Sequence, residues 1–161
     1  MEFTLLQPNN QRCANGLRWG ILNVQAPTTA ELLNHPLVQQ ALEDAWADSL
    51  ADDTARRHQE GGWVYADLGS GAITTRRASA GATANIGLDH PPTVPGAVVV
   101  ATFHTHPNPS AEGWDPGPST DDMQSAFILG VPCLIRADDG VHATGPDSRR
   151  GGLAGGPGFP P

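Results

Sequence analysis

Two histidines one residue apart, His104 and His106, stand at the end of the apolar run AVVVATF, and Ser119 and Asp122 follow in the spacing S-x-x-D. On an extended strand, residues i and i+2 project from one face, so both imidazoles can reach a single ion. With Asp122 as third ligand, the donor set is N, N and O. That set suits Zn2+ and leaves a fourth tetrahedral position for water, as in a hydrolytic site and not a closed structural one. Asp121 is the rival carboxylate, and the S-x-x-D spacing favours Asp122. The same four residues also form a helix-start signature, with Ser119 as N-cap and Asp122 at N3, where the helix dipole favours an acid. Both roles are compatible, since a capped helix start fixes an aspartate ligand well. Ser119 has no neighbouring general base in the sequence and reads as a hydrogen-bond donor, not a nucleophile.

The pattern H-x-H-P (His104, His106, Pro107), then P-S-x-x-D (Pro118, Ser119, Asp122), with a glutamate upstream, resembles the JAB/MPN or JAMM zinc metalloprotease family over roughly residues 37–144. The resemblance implies an α/β fold, a single MPN-like domain with a mixed central β-sheet flanked by helices. It implies hydrolysis of peptide or isopeptide bonds, including removal of ubiquitin-like or other protein tails. His104, His106 and Asp122 would hold zinc, Ser119 would help hold the developing oxyanion, and an upstream glutamate would act as general acid and base. Glu60, which opens EGGWVYADL, is the candidate for that last role. Glu112 is its runner-up, within the insert PNPSAEGWDPGP (107–118) that stretches the family's usual gap between the second histidine and the serine. Two other classes stand beside this one: a non-catalytic MPN-like scaffold, and an effector or toxin module of a longer polymorphic protein. The intact ligand set argues against the first, and the E-G-G-W-V strand and glycine-proline end suit the second.

The elements that must position these groups follow from patterning. Residues 16–24, GLRWGILNV, alternate as a first strand. Thr28 to Glu31 have capping-box spacing, and apolar residues recur at three and four places through a helix expected from Pro36 to Leu50. Gly61 and Gly62 release a strand over 63–68, and GSG turns it into a second over 72–78. Residues 79–96 read as a long loop bordering a substrate groove. The β-branched run 97–103 is a strand buried on both faces that delivers the histidines. A helix runs from Ser119 to about Leu129 and stops at Gly130, and VPCLIRAD and GVHATG form two strands joined at Asp138-Asp139-Gly140. The domain is expected over 1–144, with 1–27 an N-terminal extension and 145–161 a flexible glycine-proline tail.

Other candidates read more plainly. Glu31 and Glu43 are explained by capping and a solvated helix face. His58, His90 and His142 lack ligand spacing, although His90 borders the expected groove. Trp46 and Trp63 read as core, and Trp114 as exposed and available to a substrate. Cys13 and Cys133 lie far apart with no C-x-x-C, which indicates neither a disulfide framework nor a further metal site.

Composition bounds the rest. At 161 residues the chain suits one domain. A net charge of -8, with all nine basic residues arginine and no cluster beyond pairs, argues against nucleic acid as a partner. No apolar run reaches membrane-spanning length, and the start lacks the order of a signal peptide. The expectation is a soluble cytoplasmic protein acting on a protein or peptide, without a membrane partner, or a module exported by a route that needs no cleavable signal.

Overall fold

The computed structural model describes residues 25–146 and the backbone of 152–155. The strand expected over 16–24, and Cys13, lie outside the described residues. Thr28 begins the first helix: its hydroxyl accepts from the Glu31 N–H, and the Glu31 carboxylate accepts from the Thr28 N–H at 2.7 Å. That capping box opens a short helix of its own, α1 (Thr29–Leu33), and not the longer one. His35 then caps α2 (Pro36–Asp48), with Pro36 in the first turn, where its missing N–H costs nothing. Helix α2 stops two residues short of Leu50, which takes a left-handed φ of 52°.

Six strands form one mixed sheet. They are β1 (Gly61–Asp67), β2 (Ile73–Arg77), β3 (Ala97–His106), β4 (Cys133–Ala137), β5 (Gly140–Thr144) and β6 (Gly152–Gly155), in the spatial order β2-β1-β3-β4-β5-β6. All neighbours are antiparallel except β3 and β4, whose parallel pairing requires a crossover. The crossover carries a one-turn 3-10 helix (Ser110–Glu112) and α3 (Thr120–Leu129). Strand β6 falls within residues 145–161, expected to form a flexible tail; its backbone instead pairs with β5. The mixed α/β class read from the sequence is the class observed.

The two sheet faces are covered differently. Helices α1 and α2 lay Leu32, Val38, Leu42 and Ala45 against Val64, Ala66, Val98, Val100, Phe103, Leu134 and Val141. On the opposite face, Trp63, Tyr65 and Val99 pack with Leu88 of the 79–96 loop, and Ala126 of α3 packs on Cys133 and Ile135. A register shift decides which face the histidines take. Val64 pairs with Ala101 and Tyr65 with Val99, so Val100 is an extra residue in β3. Val98, Val100, Ala101 and Phe103 all join the α2-side core. Strict alternation from Val98 and Val100 would have sent His104 and His106 to that core as well. The bulge reverses the phase and turns them to the α3 face. The histidines also lie inside the strand, which runs on to His106, past the expected end at 103.

Candidate metal centre

Ser119 caps α3, accepting the Asp122 N–H at 3.2 Å, and the Asp122 carboxylate accepts the Ser119 N–H at 2.7 Å. Gly130 ends α3 in the left-handed conformation, φ 68°, with its N–H on the Ala126 carbonyl. This short capped helix packs on β4, with Ala126 against Cys133 and Ile135, and its first turn brings Asp122 onto the two histidines of the neighbouring β3.

The three donors close a triangle. His104 Nε2 lies 3.1 Å from His106 Nε2 and 3.2 Å from Asp122 Oδ1, and His106 Nε2 lies 3.5 Å from Asp122 Oδ2. A tetrahedral ion with arms of about 2.0–2.1 Å has ligand-to-ligand edges of about 3.3 Å. The spacings among the two Nε2 atoms and the two oxygens of the Asp122 carboxylate are close to those edges. The His104 side chain is almost wholly buried, whereas His106 and Asp122 keep a small exposure on one side. Burial pushes the Asp122 carboxyl up, but the hydrogen bonds from His104 and His106, joined by that of Ser119, more than reverse this and hold it well below the ordinary carboxylate range. Asp121, the rival ligand, is exposed and points along the pocket wall.

Cys133 belongs to the same cluster. Donor atoms of His104, Asp122 and Cys133 all lie within 4.8 Å of one another, a group able to hold a metal ion. Its Sγ sits 3.5 Å from His104 Nδ1, the ring nitrogen opposite the one in the triangle. Burial pushes the Cys133 thiol up to about 12, with the Asp122 charge adding to the effect. One imidazole cannot offer both nitrogens to one ion, and the second nitrogen of His104 is the one that faces Cys133. Cys133 thus stands behind His104 as a partner that orients the ring. Sequence reasoning set it aside because Cys13 lies far away with no C-x-x-C spacing; what places it here is the parallel register of β4 on β3, which pairs Cys133 with Thr102, two residues before His104.

Ser119 lies in the first turn beside the triangle, yet its hydroxyl is committed. The Oγ is 2.7 Å from Asp122 Oδ2, an acceptor only, so its proton goes to the metal ligand and not to the pocket. The oxyanion role expected for Ser119 would require that proton to leave Asp122.

Glu60 is displaced from the role expected of it. The Glu60 N–H donates to Thr105 Oγ1 at 3.0 Å and its carbonyl accepts the Thr105 N–H, which pairs it with the β3 residue that faces away from the histidines. Its carboxylate lies on the α2 side, 2.9 Å from His58 Nε2 and in an ion pair with Arg77, which also holds Asp48 of α2 at 3.1 Å. Glu112 is likewise engaged, clasped at both oxygens by the buried Arg57 guanidinium at 2.9 and 3.0 Å. No described glutamate borders the pocket; the residue of the Gln59-Glu60 pair that does is Gln59. One step along an extended chain reverses the face, and Gln59 shares the phase of Gly61, whose partner is His104. A Cβ on Gly61 would lie 2.7 Å from that of His104, so glycine here lets β1 approach the ligand strand.

The pocket over the triangle measures about 780 Å³. One wall is the 79–96 loop, pinned by Trp63 Nε1 on the Leu88 carbonyl at 2.9 Å and Tyr65 on that of Pro92 at 2.6 Å. That loop borders the groove as the sequence implied, and His90 lies in it. The insert 107–118 forms a second wall, fastened by Asn108 to Thr83, Ser110 to Asp138 and Glu112 to Arg57, and it presents the exposed Trp114. Helix α3 supplies the third, joined to the loop by Ser125 and Asp89 at 2.9 Å. Of the remaining candidates, Trp63 is core, Trp46 stacks its ring under the Arg136 guanidinium at 4.8 Å, and His142 pairs with Asp139.

Compared with known proteins, the chain matches no family model, no curated protein and no solved structure. Among the described residues, no helix is long and apolar enough to cross a membrane.

Proposed function

We propose that the chain is a zinc-dependent hydrolase of amide bonds, related in site and architecture to the JAB/MPN metalloproteases, acting on a protein or peptide. The observation that carries this is the triangle of His104 Nε2, His106 Nε2 and Asp122, with edges of 3.1, 3.2 and 3.5 Å, at the floor of a pocket large enough for several residues of an extended chain. A zinc ion held there supplies Lewis acidity, polarising an amide carbonyl and lowering the pKa of water. The chain's own groups orient and tune the ligands: Ser119 on Asp122, and Cys133 on the second nitrogen of His104. The insert and the 79–96 loop hold a bound chain over them.

The face taken by Glu60 favours a second function for the same site, a non-catalytic MPN-like scaffold that holds metal and binds an amide without turning it over. Zinc analysis of the purified protein, with a cleavage screen over peptide and isopeptide substrates, separates the two. Zinc with turnover that disappears in His106→Ala supports the hydrolase. Zinc without turnover selects the scaffold, and a protein that takes up no zinc refutes both.

A further inference from the structure

Gln59 is 7% exposed, its main chain is tied to the 79–96 loop through Ala82 and Gly81, and its side chain borders the metal pocket. Its carboxamide makes no hydrogen bond to any described residue. Arg57 Nε and Thr144 Oγ1 are the wholly enclosed polar side-chain atoms left without a partner among the described residues. The Gln59 amide is not of that kind: it too lacks a partner, but it opens on the pocket. A carboxamide cannot take up a proton at neutral pH, so Gln59 does not do the work of a base. It does offer an N–H donor and a carbonyl acceptor in one plane, the complement of another amide.

We infer that Gln59 is the pocket's amide-recognition group, pairing with the N–H and C=O of a main-chain-type amide presented to His104, His106 and Asp122. The inference rests on the metal-centre reading and deepens it by naming what the pocket binds. Gln59 is fixed in place by the same two connections that shape the site: the β1 phase that sets it beside His104's partner, and the loop that forms the pocket wall. The apolar side chains of Ile86, Leu88, Trp114 and Ile128 along the walls suit the side chains that flank such an amide.

The test uses the whole chain loaded with cobalt, whose visible spectrum reports on the ligand field, and acetohydroxamate as a small metal-binding amide. Wild type, Gln59→Ala, Gln59→Glu and Glu60→Gln are titrated with the probe after their cobalt content is measured. One neutral hydrogen bond of about 0.5–1.5 kcal/mol corresponds to about a 2- to 12-fold change in affinity. Gln59→Ala is expected to bind the probe more weakly by that factor at unchanged cobalt content, and Glu60→Gln to bind it as wild type does. Gln59→Glu, which replaces the amide donor with a carboxylate, is expected to bind the anionic probe more weakly than wild type at the same neutral pH and the same cobalt content. Equal affinity in wild type and Gln59→Ala, or no spectral response to the probe, overturns the role of Gln59 while the metal centre stands. A wild type that binds no cobalt overturns the metal centre and the inference together.

Discussion

Glu60→Gln separates the pattern-based role of this residue from the one its contacts support. A general base contributes about 10²- to 10⁴-fold to turnover, so its loss would show in rate and hardly at all in stability. The contacts point the other way. The Glu60 side chain is 11% exposed and its two oxygens meet His58 and Arg77, whose side chains are 25% and 32% exposed. Breaking a fully buried pair costs about 3–5 kcal/mol, and an exposed one about 0–1 kcal/mol. Arg77 is a third exposed and keeps Asp48, and glutamine can still accept one hydrogen bond. The cost therefore falls near the lower part of that span, at about 1–2 kcal/mol. For a domain of this size that is a fall in Tm of about 2–8 °C. Thermal melts, zinc content and hydrolysis measured on one preparation decide the matter. An unchanged Tm and zinc content with turnover reduced a hundredfold or more would refute the reasoning and return Glu60 to catalysis.

Three further outcomes are expected. His104→Ala, His106→Ala and Asp122→Asn each lose the roughly one zinc per chain of the wild type, measured by elemental analysis; equal zinc in all would remove the metal centre. Ser119→Ala lowers stability by about 1 kcal/mol as a lost cap, and weakens zinc binding by roughly tenfold or more in chelator competition, because its hydroxyl supports Asp122. His58 donates to the Arg56 carbonyl and to Glu60, and although burial opposes them these contacts raise its pKa above the ordinary imidazole value. A raised folded-state pKa gives stability that is complete below the unfolded value of about 6.5 and lost as pH rises through the folded one. His58→Gln should therefore lose less of its urea midpoint than wild type between about pH 6 and 8, and parallel profiles would show that His58 is not the group responsible.

What could be read in the sequence, and what could not, divides along one physical line. Signals that act within a few residues were readable: the Ser119 cap and Gly130 stop bound α3 within a residue of their expected places, the glycine turn set the β1–β2 hairpin, and H-x-H set two imidazoles on one face. The composite S-x-x-D was readable as well, because cap and ligand use the same aspartate. Facing across the sheet was not. The run AVVVATF is apolar on both faces, so nothing in its residue types marks Val100 as the extra residue that turns His104 and His106 toward α3. The same blindness to phase made Glu60 the natural candidate over Gln59, since a carboxylate is the group a hydrolase needs. The sheet, however, decides by alternation and not by chemical type, and it gives the metal side to the amide. An overlooked phase also hid Cys133, which reaches His104 only because β3 and β4 run parallel in one register. The chemistry of this site is therefore set as much by one bulged residue as by the ligands themselves. Forcing Val100 into the regular ladder would carry both imidazoles to the α2 side, whereas deleting it leaves Val99 and Ala101 on the adjacent partners Tyr65 and Val64 and should keep both imidazoles, and zinc, on the α3 face.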